Sequence, residues 1–345
     1  MTTQFQINDP SLESQWRAII LFGKNSATYK FAFAKSLLSI IDKGITTVKL
    51  EELAIPFANS IVEHLKKSDK QGNAGSSKFL EGCRSFINDK ITKEELYSLT
   101  HRFGFVNVVD AFQNLNGGII PNPFYEKNYS QGQKEIVVTD NLLKIKELFQ
   151  FRNLEQEVEA RWNLVETAWN LQINPKLLEV KYDEDKSLLF IESNSNQMRR
   201  IDITSVRDSL NGYQKGKCFY SYQDISIFKN DQNICEVDHF LPHSNKLEHL
   251  KLGANINNVW NLVLADPNIN NDKRAKIPEI KFLERLNNRN EFYIESKHPL
   301  AETIINQTGA TKELRRKFLN DQYNIAYNCS LRNDWKPEIE LKGTF

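Results

Sequence analysis

The sequence predicts an α+β fold: a mainly helical first region, then a small β-hairpin, then a strand-strand-helix unit wrapped by C-terminal helices. Three observations carry that expectation. Apolar residues recur at three and four over most of the first 115 positions, the helical period, and polar stretches such as KSDKQGNAGSSK break the pattern. Residues 177–193, LLEVKYDEDKSLLFIES, read as two strands around a DEDK turn. Between Cys235 and Pro278 two short apolar runs precede a helix start, with polar residues at one end of the unit.

Element by element, helical spacing runs over 12–42 and 48–67, and shorter helices are expected over 78–86, 93–103 and 108–115. The Gly-, Pro- and Asn-rich stretch NGGIIPNPFYEKNYSQGQ reads as a domain edge or mobile segment. Helices follow near 141–149 and over 153–171. The second of these has the most regular pattern, with Leu154, Val158, Trp162, Val165 and Trp169 on one side and Glu155, Glu159 and Glu166 elsewhere. A stripe at helical spacing packs against its own protein more often than it stacks bases, so both tryptophans are read as core. In the hairpin, Asp183, Glu184 and Asp185 are imaginable as metal ligands, but tight turns favour short polar residues and the turn reading is preferred. A short helix over 204–210 leads into the strand-strand-helix unit, and helices over 279–286, 298–307 and 312–328 are expected to pack around it. No internal repeat, P-loop or GxGxxG is present.

At 345 residues, with 40% hydrophobic and 11% aromatic side chains, the chain has material for two or three domains without disulfides. Its cysteines, Cys83, Cys218, Cys235 and Cys329, lie far apart without CxxC spacing, which favours buried free thiols over a cluster or disulfide framework. The opening MTTQFQINDPSLESQ has no signal pattern, and no run approaches the ~18 apolar residues of a membrane span, so a cytoplasmic location without membrane contact is expected. A net charge of +1 means that any nucleic-acid contact comes from local patches. One candidate lies in residues 271–317, with eleven Lys or Arg against seven Asp or Glu, ending in Arg315, Arg316 and Lys317. A solvated helix face explains that cluster about as well.

The spacing of Asp238, His239, Asn261, Asn270 and Lys273 suits a one-metal phosphodiesterase site. A phosphodiester is anionic with a poor alkoxide leaving group, so a hard divalent cation such as Mg²⁺ or Mn²⁺, on oxygen ligands, is the simplest source of charge stabilisation. Asp238 and Asn270 offer two such oxygens, leaving open positions for a phosphate oxygen and the departing 3′ oxygen. An unperturbed imidazole, with a pKa of ~6.5, is largely neutral at physiological pH and suits His239 as general base on water. Lys273 can neutralise a phosphate, and Arg274 and Lys276 extend that positive edge or are simply solvated. Neighbouring residues of a regular strand face opposite ways, so Asp238 and His239 share a site only where the strand bends. Pro242 suggests such a bend. The amide of Asn261 is best used to tie down the preceding loop. His243 and His249 fall in the loop after the base, His243 as a phosphate contact or a surface residue, while His64, His101 and His298 are read as structural.

Taken together, DHFLP, then NLVLA, then NxxK closely resembles the HNH, or ββα-metal, endonuclease family, over roughly residues 212–280. The nine-residue interval from Asn261 to Asn270, with Lys273 three further on, is similar to the nuclease domain of RNA-guided CRISPR effectors. The resemblance implies that His239 activates water, Asp238 and Asn270 hold the metal, and Asn261 braces the loop. Many relatives also carry a structural zinc on two Cys pairs. Here Cys218, Ser221, Asp266 and Ile269 stand at those positions and cannot supply four thiolates, so no structural zinc is expected. The implied protein is an Mg²⁺- or Mn²⁺-dependent DNA endonuclease leaving 5′-phosphate ends, in a restriction or anti-phage role. Residues 1–135 would form a sensor, specificity or partner-binding domain, 136–211 a helical linker region with the hairpin, and 212–345 the nuclease domain. Two other outcomes are carried forward: a nuclease subunit of a larger defence complex that waits for a partner or signal, and a catalytically silent nucleic-acid-binding protein. One such site cuts one strand, so double-strand breaks require a homodimer or two successive nicks.

Overall fold

The computed structural model describes residues 4–22, 26–73, 76–115, 117–130, 133–170, 179–193, 199–331 and 333–345. The chain is α+β, with many helices and small antiparallel sheets, and it divides into two compact units, Met1–Gln172 and Ile173–Phe345. The division falls inside the segment 136–211, placing its long helix with the first unit and its hairpin with the second.

The first unit is built on a buried helix. After α1 (Gln4–Asn8) and α2 (Leu12–Phe22), α3 (Tyr29–Asp42) carries Phe31, Phe33, Leu37 and Ile41, all fully buried. Strand β1 (Thr47–Lys49) leads into α4 (Leu50–Lys67), which packs on α3. Ser77 caps α5 (Lys78–Ile87) by accepting the Leu80 N–H. Thr92 and Glu95 cap α6 (Lys93–Leu99) reciprocally, satisfying two N–H groups that a helix start leaves open. The helix expected through residue 103 passes into a π-turn at Thr100–Gly104. That expected over 108–115 ends early as α7 (Val108–Ala111), and its tail pairs as β2 (Asn114–Leu115) with β3 (Gly118–Ile119).

The Gly- and Pro-rich stretch is not a bare loop. It contains β4 (Tyr125–Asn128), which with β5 (Glu135–Val138) and β1 forms a three-stranded antiparallel sheet in the order β1-β5-β4. After α8 (Asp140–Lys146), α9 (Phe151–Asn170) closes the core against α3. Leu154, Val158, Trp162 and Val165 are buried as their spacing predicts, and Trp169 is half-buried. Glu166, expected away from that face, is buried as well. Its Oε2 lies 2.9 Å from His64 Nδ1 and accepts from Gln71 Nε2 at 2.6 Å. The His64 ring stacks flat on Trp162, centroids 3.5 Å apart.

The second unit opens on a three-stranded antiparallel sheet, β6 (Lys181–Asp183), β7 (Leu188–Ser193) and β8 (Arg199–Ser205). The hairpin matches expectation, but the third strand does not. Ile201 and Ile203 alternate with Asp202 and Thr204 at the strand period, so the helix expected from 204 begins later, as α10 (Val206–Gln214). Next come β9 (Glu236–His239), α11 (Lys246–Lys251), β10 (Leu262–Ala265) and α12 (Pro267–Lys273), with β9 and β10 antiparallel. Helix α13 (Ile280–Glu295) outlasts the 279–286 expected because its polar NNRN stretch is used indoors. Arg289 donates to the carbonyls of Val259, Trp260 and Leu262, and Asn290 Nδ2 to that of Trp260. Helices α14 (Ala301–Thr308) and α15 (Lys312–Cys329) complete the wrapping. Among the described residues no helix is long and apolar enough to cross a membrane.

Candidate active site

Strand β9, Glu-Val-Asp-His, sorts its polar side chains by alternation: Glu236 and Asp238 share one face and His239 takes the other. Helix α12 covers the first face. Its start is fixed by Asp266, which accepts the N–H groups of Asn268 and Ile269, and by Pro267 in the first turn. Asn270 and Lys273, about one turn apart, meet the two carboxylates in register. Asn270 Nδ2 donates to Glu236 Oε2 at 2.7 Å, and Lys273 Nζ lies 3.2 and 3.0 Å from the two Asp238 oxygens. Lys273 also donates to the His239 carbonyl at 2.9 Å and is fully buried. Its ammonium therefore fastens strand to helix instead of facing solvent, where a phosphate would arrive.

Tyr220 completes the Asp238 environment, donating its hydroxyl at 2.6 Å. Burial raises the Asp238 carboxyl above the usual carboxylate range, and Lys273 and Tyr220 offset this in part. Burial, followed by the nearby Asp238 charge, holds the Tyr220 hydroxyl far above its ordinary value, so it remains a donor. Asn261 has the loop-bracing place its amide suggests. Fully buried, it accepts the Leu241 N–H at 2.9 Å and donates to the carbonyls of Leu241 (3.0 Å) and Ile256 (2.9 Å).

His239 points away from this cluster. Its Nε2 lies 3.1 Å from Nε2 of His243, the two rings edge to face, with Tyr182 alongside. His243 Nε2 is in turn 3.5 Å from Oε2 of Glu184, in the exposed turn between β6 and β7. Burial, then His243 and Lys273, push the His239 imidazole down to about 3, so it is neutral near pH 7. The bend expected to turn Asp238 and His239 toward one pocket is absent from β9, which stays paired with β10 through His239. Among the described contacts Asp238 and His239 share only Lys273, through one carboxylate and one backbone carbonyl.

The oxygens of Glu236, Asp238 and Asn270 are a hard donor set of the kind Mg²⁺ or Mn²⁺ prefers. Lys273 now holds Asp238, and a cation would take that carboxylate over. Of the positions at which no zinc thiolates were expected, Asp266 serves as the α12 cap. Cys83, Cys218 and Cys235 are buried, and Cys329 is exposed instead of buried.

The basic patch expected beside the site separates into different roles. Arg315 is buried and grips Glu291 with two hydrogen bonds of 2.6 Å, which removes it from any exposed surface. Arg316 pairs with Glu284 at 2.8 Å and Lys276 with Asp272 at 2.8 Å, while Arg274 Nε donates to the Asn271 carbonyl. Lys317 is exposed.

Sequence reasoning missed Tyr220 and Glu236, and it weighed Glu184 as a metal ligand only to prefer the turn. Glu236 was legible, since it lies two residues before Asp238 on a strand and so shares its face. Tyr220 and Glu184 arrive from other elements. His249, placed in a loop by spacing, is buried on α11 against Gln322. Compared with protein-family models, curated proteins and solved structures, the chain matches none.

Proposed function

We propose that this chain is a divalent-metal-dependent endonuclease that hydrolyses DNA phosphodiester bonds at the β9-β10-α12 unit. The observation that carries the reading is the setting of His239: a buried imidazole at a strand end, held neutral, above a loop that the Asn261 amide clamps by three hydrogen bonds. A neutral imidazole takes the proton of an attacking water once the negative charge of a bound phosphate raises it from about 3 toward the working pH, and a clamped loop keeps its ring in place as the charge changes. Water adds to phosphorus, the 3′ oxygen departs, and a 5′-phosphate remains. Asp238 and Asn270, with Glu236 beside them, would hold the Mg²⁺ or Mn²⁺ once β9 bends at its end so that this face and His239 meet one phosphate. When bound, that ion supplies positive charge where the leaving oxygen becomes anionic.

The Lys273–Asp238 pair favours a second form of the same reading. A carboxylate already neutralised by a buried ammonium describes a nuclease at rest, activated when a partner or signal releases it. In that form the first unit, which includes residues 1–135, is the part that senses, selects the target or binds a partner. A restriction or anti-phage role follows from the resemblance to HNH nucleases, a cytoplasmic location from the sequence reading, and double-strand cutting would take a homodimer or two successive nicks. Nicking of supercoiled plasmid with Mg²⁺ or Mn²⁺, wild type against His239→Ala, tests the chemistry. A wild-type chain that binds DNA and nicks nothing in either metal is the resting nuclease if co-expression with a partner restores nicking, and the silent binding protein if nothing does.

A further inference from the structure

Glu184, His239 and His243 come from two distant stretches of the chain, yet one ligand atom of each lies within 4.8 Å of the others. From this geometry we infer that they form a second metal site, specific for a borderline transition ion such as Zn²⁺, whose occupancy silences the nuclease. Two of the three separations are those of a coordination sphere, and the third lies within 4.8 Å, which a shift of the exposed Glu184 carboxylate closes. Zinc-nitrogen bonds of about 2.0–2.1 Å set two imidazole nitrogens roughly 2.9 Å apart at a right angle and roughly 3.4 Å apart at the tetrahedral angle. The two Nε2 atoms are 3.1 Å apart, and Glu184 Oε2 is 3.5 Å from His243 Nε2. Three protein ligands leave a fourth position for water.

The donor types separate this site from the oxygen face of β9. Two imidazoles and one carboxylate suit Zn²⁺, Ni²⁺ or Cu²⁺, whereas Mg²⁺ avoids nitrogen and is served by Glu236, Asp238 and Asn270. One strand thus presents hard ligands on one side and borderline ligands on the other. Ligation uses the Nε2 lone pair of His239, the pair that would accept the proton of water. The two events exclude each other at that atom. The metal site stands on its own geometry, and only the silencing rests on the proposed nuclease activity.

The test titrates Zn²⁺ alone into the full chain by calorimetry, in wild type, Glu184→Gln, His243→Asn and Cys329→Ser, followed by Mg²⁺-supported plasmid nicking with and without Zn²⁺. Wild type should bind one ion per chain. Glu184→Gln, a change on an exposed turn that leaves the fold intact, and His243→Asn should each weaken binding tenfold or more, with Cys329→Ser unchanged. Saturating Zn²⁺ should lower wild-type nicking at least tenfold and Glu184→Gln nicking less than twofold at the same concentration. Equal affinity in wild type, Glu184→Gln and His243→Asn would overturn the site. Binding lost in those variants but without inhibition of wild type would overturn the silencing. A wild type that never nicks, with or without Zn²⁺, overturns Zn²⁺ as the cause of its silence, and the titration still decides the metal site.

Discussion

His64 in the first unit and His239 in the second are both buried imidazoles, and they differ in what faces their nitrogens. His64 has a carboxylate on each side: Nδ1 lies 2.9 Å from Glu166 and Nε2 3.2 Å from Glu159. Burial alone would push it down, but those two hydrogen bonds outweigh the cost and raise it. Glu159 shows the reciprocal effect. Burial is again the largest influence, yet His64 and Lys35 bring its carboxyl down to about 2. His239 faces another imidazole, and the ammonium of Lys273 sits on its backbone carbonyl, so its nearest charges oppose protonation. The same side chain therefore has its charged form favoured in one unit and its neutral form in the other, and the neighbours decide which.

The sharpest way to break this comparison is chemical. His239→Ala should lower nicking by about 10²–10⁴-fold, the usual worth of a general base, and leave DNA affinity within about threefold. His64→Ala, measured where the protein is still folded, should leave turnover within about threefold. More than a tenth of the wild-type rate in His239→Ala would put the base elsewhere.

Stability comes next. Glu166→Ala strands a buried imidazole and the Gln71 amide, at a cost of about 3–5 kcal/mol, the range for a broken buried pair. Asn261→Ala leaves one N–H and two carbonyls without their partner, at ~1–3 kcal/mol each before relaxation, and should lower both the melting point and the rate. Denaturant titrations check both, and an Asn261→Ala change that alters the rate alone would make this residue a reactant and not a brace.

The two units should then respond to pH in opposite directions. A histidine raised above its unfolded value contributes stability below about pH 6.5 and loses it as pH climbs through the folded value, whereas Glu159 contributes above about pH 4.5 and loses this toward about 2. His239 is lowered, so it favours the fold above about pH 6.5, and the benefit declines as pH falls toward about 3. Hydrogen exchange resolved by unit should show, from pH 7.5 to pH 5, the first unit gaining protection while β9 and its surroundings lose it. Parallel trends in the two units would contradict the opposed environments. The smallest effect is at the surface. Lys317→Ala should change the slope of log affinity against log salt by about one, whereas Arg315→Ala should act through stability by freeing Glu291. An unaltered slope in Lys317→Ala takes that side chain out of the DNA contact.

Much of the architecture was legible because it is written in short-range patterns. The period of α9, the hairpin of 181–193 and the strand-strand-helix order of 236–273 follow from local spacing. The misses have long-range causes. α13 continues through Asn287 and Arg289 because carbonyls of residues 259–262 await donors, which its own sequence does not reveal. β8 carries a local strand period in Ile201 and Ile203, and the edge of β7 is what extends it through Thr204 and Ser205. At the site, residue identities were legible but partners were not. Lys273 looked like a phosphate contact because lysines are rarely buried, and it is buried because Asp238 and a carbonyl await it. Glu184 looked like turn chemistry, which it also is. That its carboxylate reaches His243 depends on how the β6-β7 turn lies, which no local pattern records.

The hydroxyl of Tyr220 that bonds Asp238 belongs to a ring set edge-on against Phe282 of α13 and Trp335, and the Trp335 backbone bonds Ile277 and Glu279 on either side of Pro278. Leu341 then bonds the Ser221 carbonyl, and Phe345 stacks on Phe219. Anyone excising the stretch 212–280 for transplantation into another scaffold would carry off Asp238, His239 and Asn270 while discarding the aromatic buttress behind Tyr220. The smallest portable cassette on this blueprint reaches to the final phenylalanine.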